Sequence, residues 1–240
     1  MSEREPDIVP AARAGARREE MRNRLLEAAI DVFARHGYDG ASTRMLARAA
    51  GANLQAIPYY FGGKEGLYLA AADYIAERIR GHVGPVAARI GARLAAQDPA
   101  RGGTPLAVVE AAALLTEMLR TAARLMLSAE SAHWARFIVS EQMEPTEAFE
   151  RIYARVMSPL LETARALVGL IIGEDAASEV VRLRTLALLG QVLIFRVAHA
   201  AVMRQLGWQQ VGPREFALID AMIQRSVGGI AWGFVEGVSS

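Results

Sequence analysis

Three features of the sequence predict an all-α fold. Apolar residues recur at spacings of three and four along nearly the whole chain. No convincing run of alternating β-branched residues interrupts them. Most breaks fall at glycine or proline, which end helices rather than continue them.

Taken in order, residues 1 to about 15 carry Pro6, Pro10 and Gly15 and read as a loose arm. An amphipathic helix starts near Ala16, with Met21, Leu25, Ala28, Ala29, Val32 and Phe33 on one face, and stops at Gly37. Two short helices follow. Ser42 or Thr43 caps the first, which runs to Ala50 and ends at Gly51. Asn53 caps the second, from Leu54 to about Tyr60. Gly62-Gly63 breaks the chain, and a long helix runs from Lys64 to about Arg80. Gly84-Pro85 interrupts again before a helix from Val86 to about Ala96. Gly102-Gly103-Thr104-Pro105 reads as a linker ending in a cap and a first-turn proline, opening a helix to Leu127. Further helices span Ser131 to Met143, Thr146 to about Ile172 with a kink at Pro159, Ala177 to Leu206, and Pro213 to Glu236. The chain therefore divides into an arm (1–15), a first domain (16–63), a connecting helix (64–80) and a larger helical domain (81–240).

A chain of 240 residues can bury a substantial core without staples. It has no cysteine, which excludes a disulfide framework and thiolate metal sites. Its four histidines, His36, His82, His133 and His199, show no metal spacing. No Gly-rich phosphate loop and no Ser–His–acid arrangement stands out, so no cofactor or catalytic role is expected. The charged N-terminus lacks the apolar stretch of a signal peptide. Arg165, Gln191 and Arg196 break the longest apolar runs below membrane-spanning length. The expectation is a soluble cytoplasmic protein with no membrane partner.

Net charge is only +1, so any surface for a polyanion must be local. Such a surface is local to Arg13–Lys64, where nine basic residues face five acidic ones, a balance of +4. Within it, two short helices joined by Gly51-Ala52-Asn53 form a helix-turn-helix. Ala47, Ala50 and Gly51 allow the close crossing; Met45, Leu46 and Ile57 provide apolar faces. The second helix of such a unit presents its N-terminal residues to base edges in the major groove. Those are Leu54, Gln55 and Ala56: Gln55 can bond adenine bidentately and Ala56 can meet a thymine methyl. Thr43, Arg44, Tyr59, Tyr60 and Lys64 are candidate phosphate contacts, Lys64 at a helix N-terminus that already favours anions. Arg13, Arg17, Arg18, Arg22 and Arg24 are within reach of the DNA backbone.

The run from Asn23 to Tyr68 resembles the N-terminal DNA-binding domain of the TetR family of bacterial transcriptional regulators. The resemblance rests on Gly37-Tyr38, Thr43, Ala47, Ala50-Gly51, Phe61 and Lys64-Glu65-Gly66-Leu67. Most members of that family carry tyrosine where this chain has Pro58, so the phosphate contact of that tyrosine shifts here to Tyr59 and Lys64. The remainder resembles the CerR/CecR-like branch, through Ala56–Glu65, Glu144–Phe149 and Leu189–Arg196. The resemblance implies a homodimer on double-stranded operator DNA, a four-helix bundle from the last two helices, and a pocket for a small-molecule effector.

Two features of the larger domain fit those implications. Leu186, Gly190, Leu193 and Val197 on one late helix, and Phe216, Ile219, Ile223, Val227, Ile230 and Phe234 on the last, form apolar stripes that serve either as core or as a dimer interface. Trp134, Phe137, Glu141, Phe195, Arg196 and His199 place polar and aromatic groups in apolar helices. They read either as a structural ion pair, such as Glu141 with Arg196, or as pocket walls. The function expected is a ligand-released, homodimeric repressor. A DNA-binding activator or a ligand-independent regulator fits the same residues. A helical enzyme or lipid-binding protein with an incidental helix-turn-helix is the reading from another class.

Overall fold

The computed structural model describes residues 9–97 and 103–237, with side chains from Arg13 to Ile230. Among them every regular element is helical: α1 Val9–Gly40, α2 Thr43–Ala49, α3 Ala56–Phe61, α4 Lys64–Ala95, α5 Val108–Leu127, α6 Ala129–Met143, α7 Glu147–Ile152, a π-helical turn Tyr153–Met157, α8 Ser158–Ile172, α9 Glu179–Val197, α10 His199–Leu206 and α11 Pro213–Gly237.

Helix α1 starts earlier than the arm reading allowed. Pro10 sits in the first turn, where its missing N–H has no intrahelical partner to lose. Ala11, Ala12, Arg13 and Ala14 are strong helix formers and outweigh Gly15. The regular helix breaks at Gly37, whose φ of +67° and ψ of 178° suit glycine.

Helix α4 runs through Pro85 instead of breaking there. Gly81 stands four residues earlier, at the carbonyl a proline ring crowds, and Gly84 directly precedes it; both leave the backbone room to adjust. Helix α5 begins at Val108, so Thr104 and Pro105 do not open it; Gly102 lies outside the described residues. The kink expected at Pro159 is a π turn in front of it: the Ser158 N–H donates to the carbonyl of Tyr153, five residues back. Pro159 has no N–H to close the next turn, and the wider turn absorbs the mismatch.

The helix expected over 177–206 breaks at Ala198 into α9 and α10, bent by 86°. His199 Nδ1 lies 3.2 Å from the Phe195 carbonyl, the acceptor an unbroken helix would give to the His199 amide. No single helix among the described residues is long and apolar enough to cross a membrane.

The chain forms two compact units. Residues 9–75 with Arg136–Arg151 make the first, and Ala76–Ala135 with 152–237 the second. The segment 136–151, expected in the larger domain, thus belongs with the helix-turn-helix.

The core of the first unit is built from Leu25, Leu26, Ile30 and Phe33 of α1, Leu46 of α2, Ile57 of α3, Leu67 and Ile75 of α4, and Phe137 of α6. Each large side chain removed from water contributes roughly 1.5–3 kcal/mol. Glu141 is buried here and well satisfied. It accepts the Tyr68 hydroxyl, the Thr146 hydroxyl at 2.8 Å, and the amides of Thr146 and Phe149 at 3.2 and 2.9 Å. It thereby caps the start of α7 from α6 and ties both to α4. Burial, and then the Glu141 carboxylate, raise the Tyr68 hydroxyl well above the ordinary tyrosine range.

In the second unit α5 packs against α8, α9 and α11. Its core includes Leu115, Leu119, Leu167, Val168, Val181, Val192, Ile219, Ile223 and Val227. Ion pairs lace its surface: Arg78 and His82 on Glu130, Arg89 on Glu117, Arg93 on Glu110 and Arg120 on Asp220.

Candidate nucleic-acid interface

The helix-turn-helix of the first unit is held by local chemistry. Ser42 caps α2, its Oγ accepting the Met45 amide at 3.2 Å. Gly51, at φ +59°, turns the chain, while the Ala52 amide donates to Ala47 and the Gly51 amide to Arg48. Asn53 does not cap α3 as expected: its Oδ1 accepts the Gln55 amide at 3.0 Å in a turn that precedes the helix, and α3 opens at Ala56, behind Gln55, and not at Leu54. Pro58 is the third residue of α3, among the first four amides that have no regular helical acceptor. Its missing N–H therefore costs the short helix little.

Ile57 is fully buried and anchors α3 on the first unit. The opposite side faces outward: Leu54, Gln55, Pro58 and Tyr59 are exposed, Tyr59 at 67%, with Ala56 and Tyr60 half-buried. Arg44 is exposed and Thr43 half-buried on the first turn of α2. Lys64 opens α4, its Nζ 4.3 Å from the centre of the Tyr38 ring. The structure thus brings Thr43, Arg44, Leu54, Gln55, Ala56, Tyr59, Tyr60 and Lys64, with Pro58 between them, onto or beside α2, α3 and the start of α4.

Sequence reasoning missed how tightly these elements are joined. Gly66 lets α4 pass the end of α3: a Cβ there would lie 1.8 Å from the Phe61 carbonyl oxygen. It also missed the stacking of α1 on α3. The Arg18 guanidinium lies 5.5 Å from the Tyr59 ring centre and that of Arg22 5.6 Å from Phe61, and Arg24 Nη2 donates to the Ala50 carbonyl at 3.2 Å. No sequence pattern signals contacts across 26 to 41 residues; the basic run itself was the only cue.

The other expected sites fare unevenly. Glu141 and Arg196 do not pair. Glu141 is engaged in the first unit as described, and Arg196 donates to the carbonyls of Met126 and Ser128 at 2.6 and 2.7 Å, closing the end of α5. Burial without a carboxylate pushes the Arg196 guanidinium below its ordinary pKa. Phe137 is buried in the first unit; Trp134 and Phe195 are buried in the second, with His199 exposed. The Trp134 indole N–H has no acceptor among the described residues.

Of the expected dimer stripe, Leu186, Gly190, Leu193 and Val197 are exposed, joined on α9 by Leu183 and Ile194. Ile219, Ile223 and Val227 are buried in the chain's own core, so they cannot face a partner. Phe216 and Ile230 pack partly against that core. The side chain of Phe234 lies outside the described residues.

A short helix exposing a polar and aromatic face, cradled by a capped helix and rimmed with cations, is the architecture of a helix-turn-helix DNA-binding protein. Comparison with known proteins narrows the class. Residues 25–71 match the model of the bacterial regulatory proteins of the tetR family, and residues 111–231 match the C-terminal domain of the HTH-type transcriptional dual regulator CecR. The curated CecR of Shigella flexneri is 32% identical over 205 residues, covering 85% of this chain and 88% of that protein. The chain belongs to the TetR family of transcriptional regulators, in its CecR branch. The transcriptional repressor AcnR of Corynebacterium glutamicum is 44% identical over 66 residues, covering 28% of this chain and 35% of that protein. Among solved structures, the regulator FadR of Bacillus subtilis, in complex with stearoyl-CoA, aligns with a TM-score of 0.51 at 16% identity, covering 85% of this chain and 96% of that one. The protein is a DNA-binding transcriptional regulator, and the family matches point to regulation rather than to an enzyme.

Proposed function

We propose that the protein is a homodimeric repressor that leaves its operator when a small molecule binds the second unit. The observation that carries this reading is the outward face at the start of α3: Leu54 and Gln55 stand exposed just before it and Ala56, its first residue, is half-buried, while Ile57 is locked beneath. Gln55 reads adenine through its amide; Leu54 and Ala56 make apolar base contacts. Thr43, Arg44, Tyr59, Tyr60 and Lys64 hold phosphates and set register, and Pro58 fixes the backbone between reader and clamp. Such a short reader needs two copies on a two-fold operator, with half-sites about 34–36 Å apart. The exposed stripe Leu183, Leu186, Gly190, Leu193, Ile194 and Val197 of α9 suits the partner copy, with small Gly190 at its middle.

The effector site belongs to the second unit, where the unsatisfied Trp134 N–H supports a polar ligand group. Because Glu141 and Arg196 spend their polar atoms on the fold, the role of anchor passes from them to Trp134. Release then means that the ligand prefers a dimer whose two readers no longer match the half-sites, by several kcal/mol for a strong switch.

The test is DNase footprinting and anisotropy on the DNA upstream of the gene, with purified protein alone and with candidate effectors. A protected two-fold site that an effector releases supports the proposal. A protected site that the effector strengthens makes the protein a co-repressed regulator instead.

A further inference from the structure

Tyr38 stands just past the break in α1 and is half-buried. On an unbroken helix, five residues would turn its side chain about 140° away from Phe33. The positive φ of Gly37 removes that constraint, and the Tyr38 ring stacks on Phe33 with centres 6.3 Å apart and planes at 19°. From α4, Tyr68 meets it edge-on at 5.0 Å. Tyr68 is itself packed on Phe33 at 4.7 Å and on Phe137 at 4.9 Å, and its hydroxyl donates to the buried Glu141 carboxylate. Two packed rings and a hydrogen bond one step behind them thus fix where the Tyr38 ring sits.

That ring carries Lys64. The Nζ lies 4.3 Å from its centre, where the negative face of the ring attracts an ammonium. Lys64 and Tyr68 are four residues apart on α4, so both approach Tyr38 from one face of that helix. Among the described residues no carboxylate pairs with Lys64. The side chain is held by a ring face and not by a counter-charge that a phosphate would have to displace. A lysine stem gives up much rotamer freedom when it is ordered, and one already held on a ring has given up part of it before DNA arrives. The ammonium has three N–H donors and the ring engages one side of it, which leaves donors for phosphate oxygens.

We infer that Tyr38 is a positioning residue of the DNA interface: its ring holds the Lys64 ammonium ready for a backbone phosphate, and Tyr68, tied to Glu141, fixes that ring from behind. The inference rests on the reading of Lys64 as a phosphate contact. It concerns affinity and not sequence preference, because phosphates carry no sequence.

The test is a double-mutant cycle in the full-length protein, read by anisotropy on operator and on scrambled DNA at several salt concentrations, with thermal melts of every variant. Tyr38→Leu removes the ring face and keeps the Lys64 charge. It should weaken both DNAs by one factor, about 5- to 30-fold for the two contacts in a dimer, and leave the slope of log K against log salt unchanged. Tyr38→Phe keeps the face and should bind as the wild type does. Lys64→Ala should lower the slope by about 1.8, ~0.9 for each of two phosphates. Tyr38→Leu should then cost nothing further in the Lys64→Ala background. Should Tyr38→Leu fail to fold, Tyr68→Phe, which keeps the packed rings and cuts the tie to Glu141, takes its place in the cycle with a smaller loss that again vanishes without Lys64. A loss of the same size with and without Lys64 overturns the inference, because it reports a damaged fold and not a positioned ammonium. Wild-type affinity for Tyr38→Leu overturns it as well. Lys64→Ala with the wild-type slope overturns the phosphate contact beneath it, and a wild-type protein that binds neither DNA overturns the whole reading of this face.

Discussion

The helix-turn-helix region of the first unit and the body of the second use arginine in opposite ways. In the second, arginines are spent on the fold: Arg93 grips Glu110 with two bonds of 2.7 and 2.9 Å, Arg120 spans α5 to Asp220 on α11, and Arg196 closes the end of α5. In the first, Arg151 is spent the same way on Asp73 and Glu147, but Arg13, Arg17, Arg18, Arg22, Arg24, Arg44 and Arg48, on and beside the helix-turn-helix, form no ion pair among the described residues. Exposed ion pairs contribute little to stability, so the contrast is not about folding strength. It marks which surface is kept cationic for a polyanion and which is neutralised against one. A chain of net charge +1 can thus bind DNA locally without a global basic field.

The largest expected effect breaks the first unit itself. Glu141→Ala strips acceptors from the Tyr68 hydroxyl, Thr146 and the Phe149 amide. It should cost about 3 kcal/mol in urea unfolding, with Glu141→Gln retaining a good part of that. A neutral Glu141→Ala would show that the buried carboxylate does not hold α6 and α7 in place.

Next comes the reader. Gln55→Ala should lower the preference for operator over scrambled DNA by about 1–3 kcal/mol, or ~5- to 150-fold, with little change on scrambled DNA. Unchanged preference would remove Gln55 from the base contacts.

The contrast between the units is sharpened by matched substitutions. Arg120→Ala should lower stability by about 1 kcal/mol and leave the salt slope of DNA binding unchanged. Arg44→Ala should leave stability within about 0.5 kcal/mol and weaken binding to both DNAs alike. Should the two variants behave the same way, the division of labour fails.

The smallest effect is a pH dependence. The Arg120 guanidinium, through its hydrogen bond, holds the Asp220 carboxyl below its ordinary range. A lowered folded pKa gives stability that is complete above the unfolded value near ~3.9 and lost as pH falls through the folded one. The melting temperature of the wild type should therefore drop more steeply below about pH 4 than that of Asp220→Asn.

Much of the DNA-binding half was legible because its signals are local. A serine at a cap, glycines at positive φ and apolar residues at helical spacing act within a few residues. Ser42, Gly51, Gly62 and Ile57 behave as their chemistry dictates. Misreadings arose where a local rule met a neighbour. Pro85 signals a break, yet α4 absorbs it beside Gly81 and Gly84. Ala198 signals nothing, yet the next residue's imidazole reaches the carbonyl that would have continued α9. Apolar spacing on α11 shows a stripe but not which surface covers it. Ile219, Ile223 and Val227 turned out to face their own chain, while the α9 stripe stayed bare. The partners of Arg196 were illegible because they are backbone carbonyls, which every residue carries, and those of Glu141 because they mix two amides with hydroxyls, one of them 73 residues away.

The most direct test of the cationic first unit is anisotropy of the purified protein on the DNA just upstream of its gene, against scrambled DNA, at two salt concentrations. The account predicts tight binding that favours the upstream DNA and weakens steeply with salt. Absence of binding to either DNA, even at low salt, would contradict it.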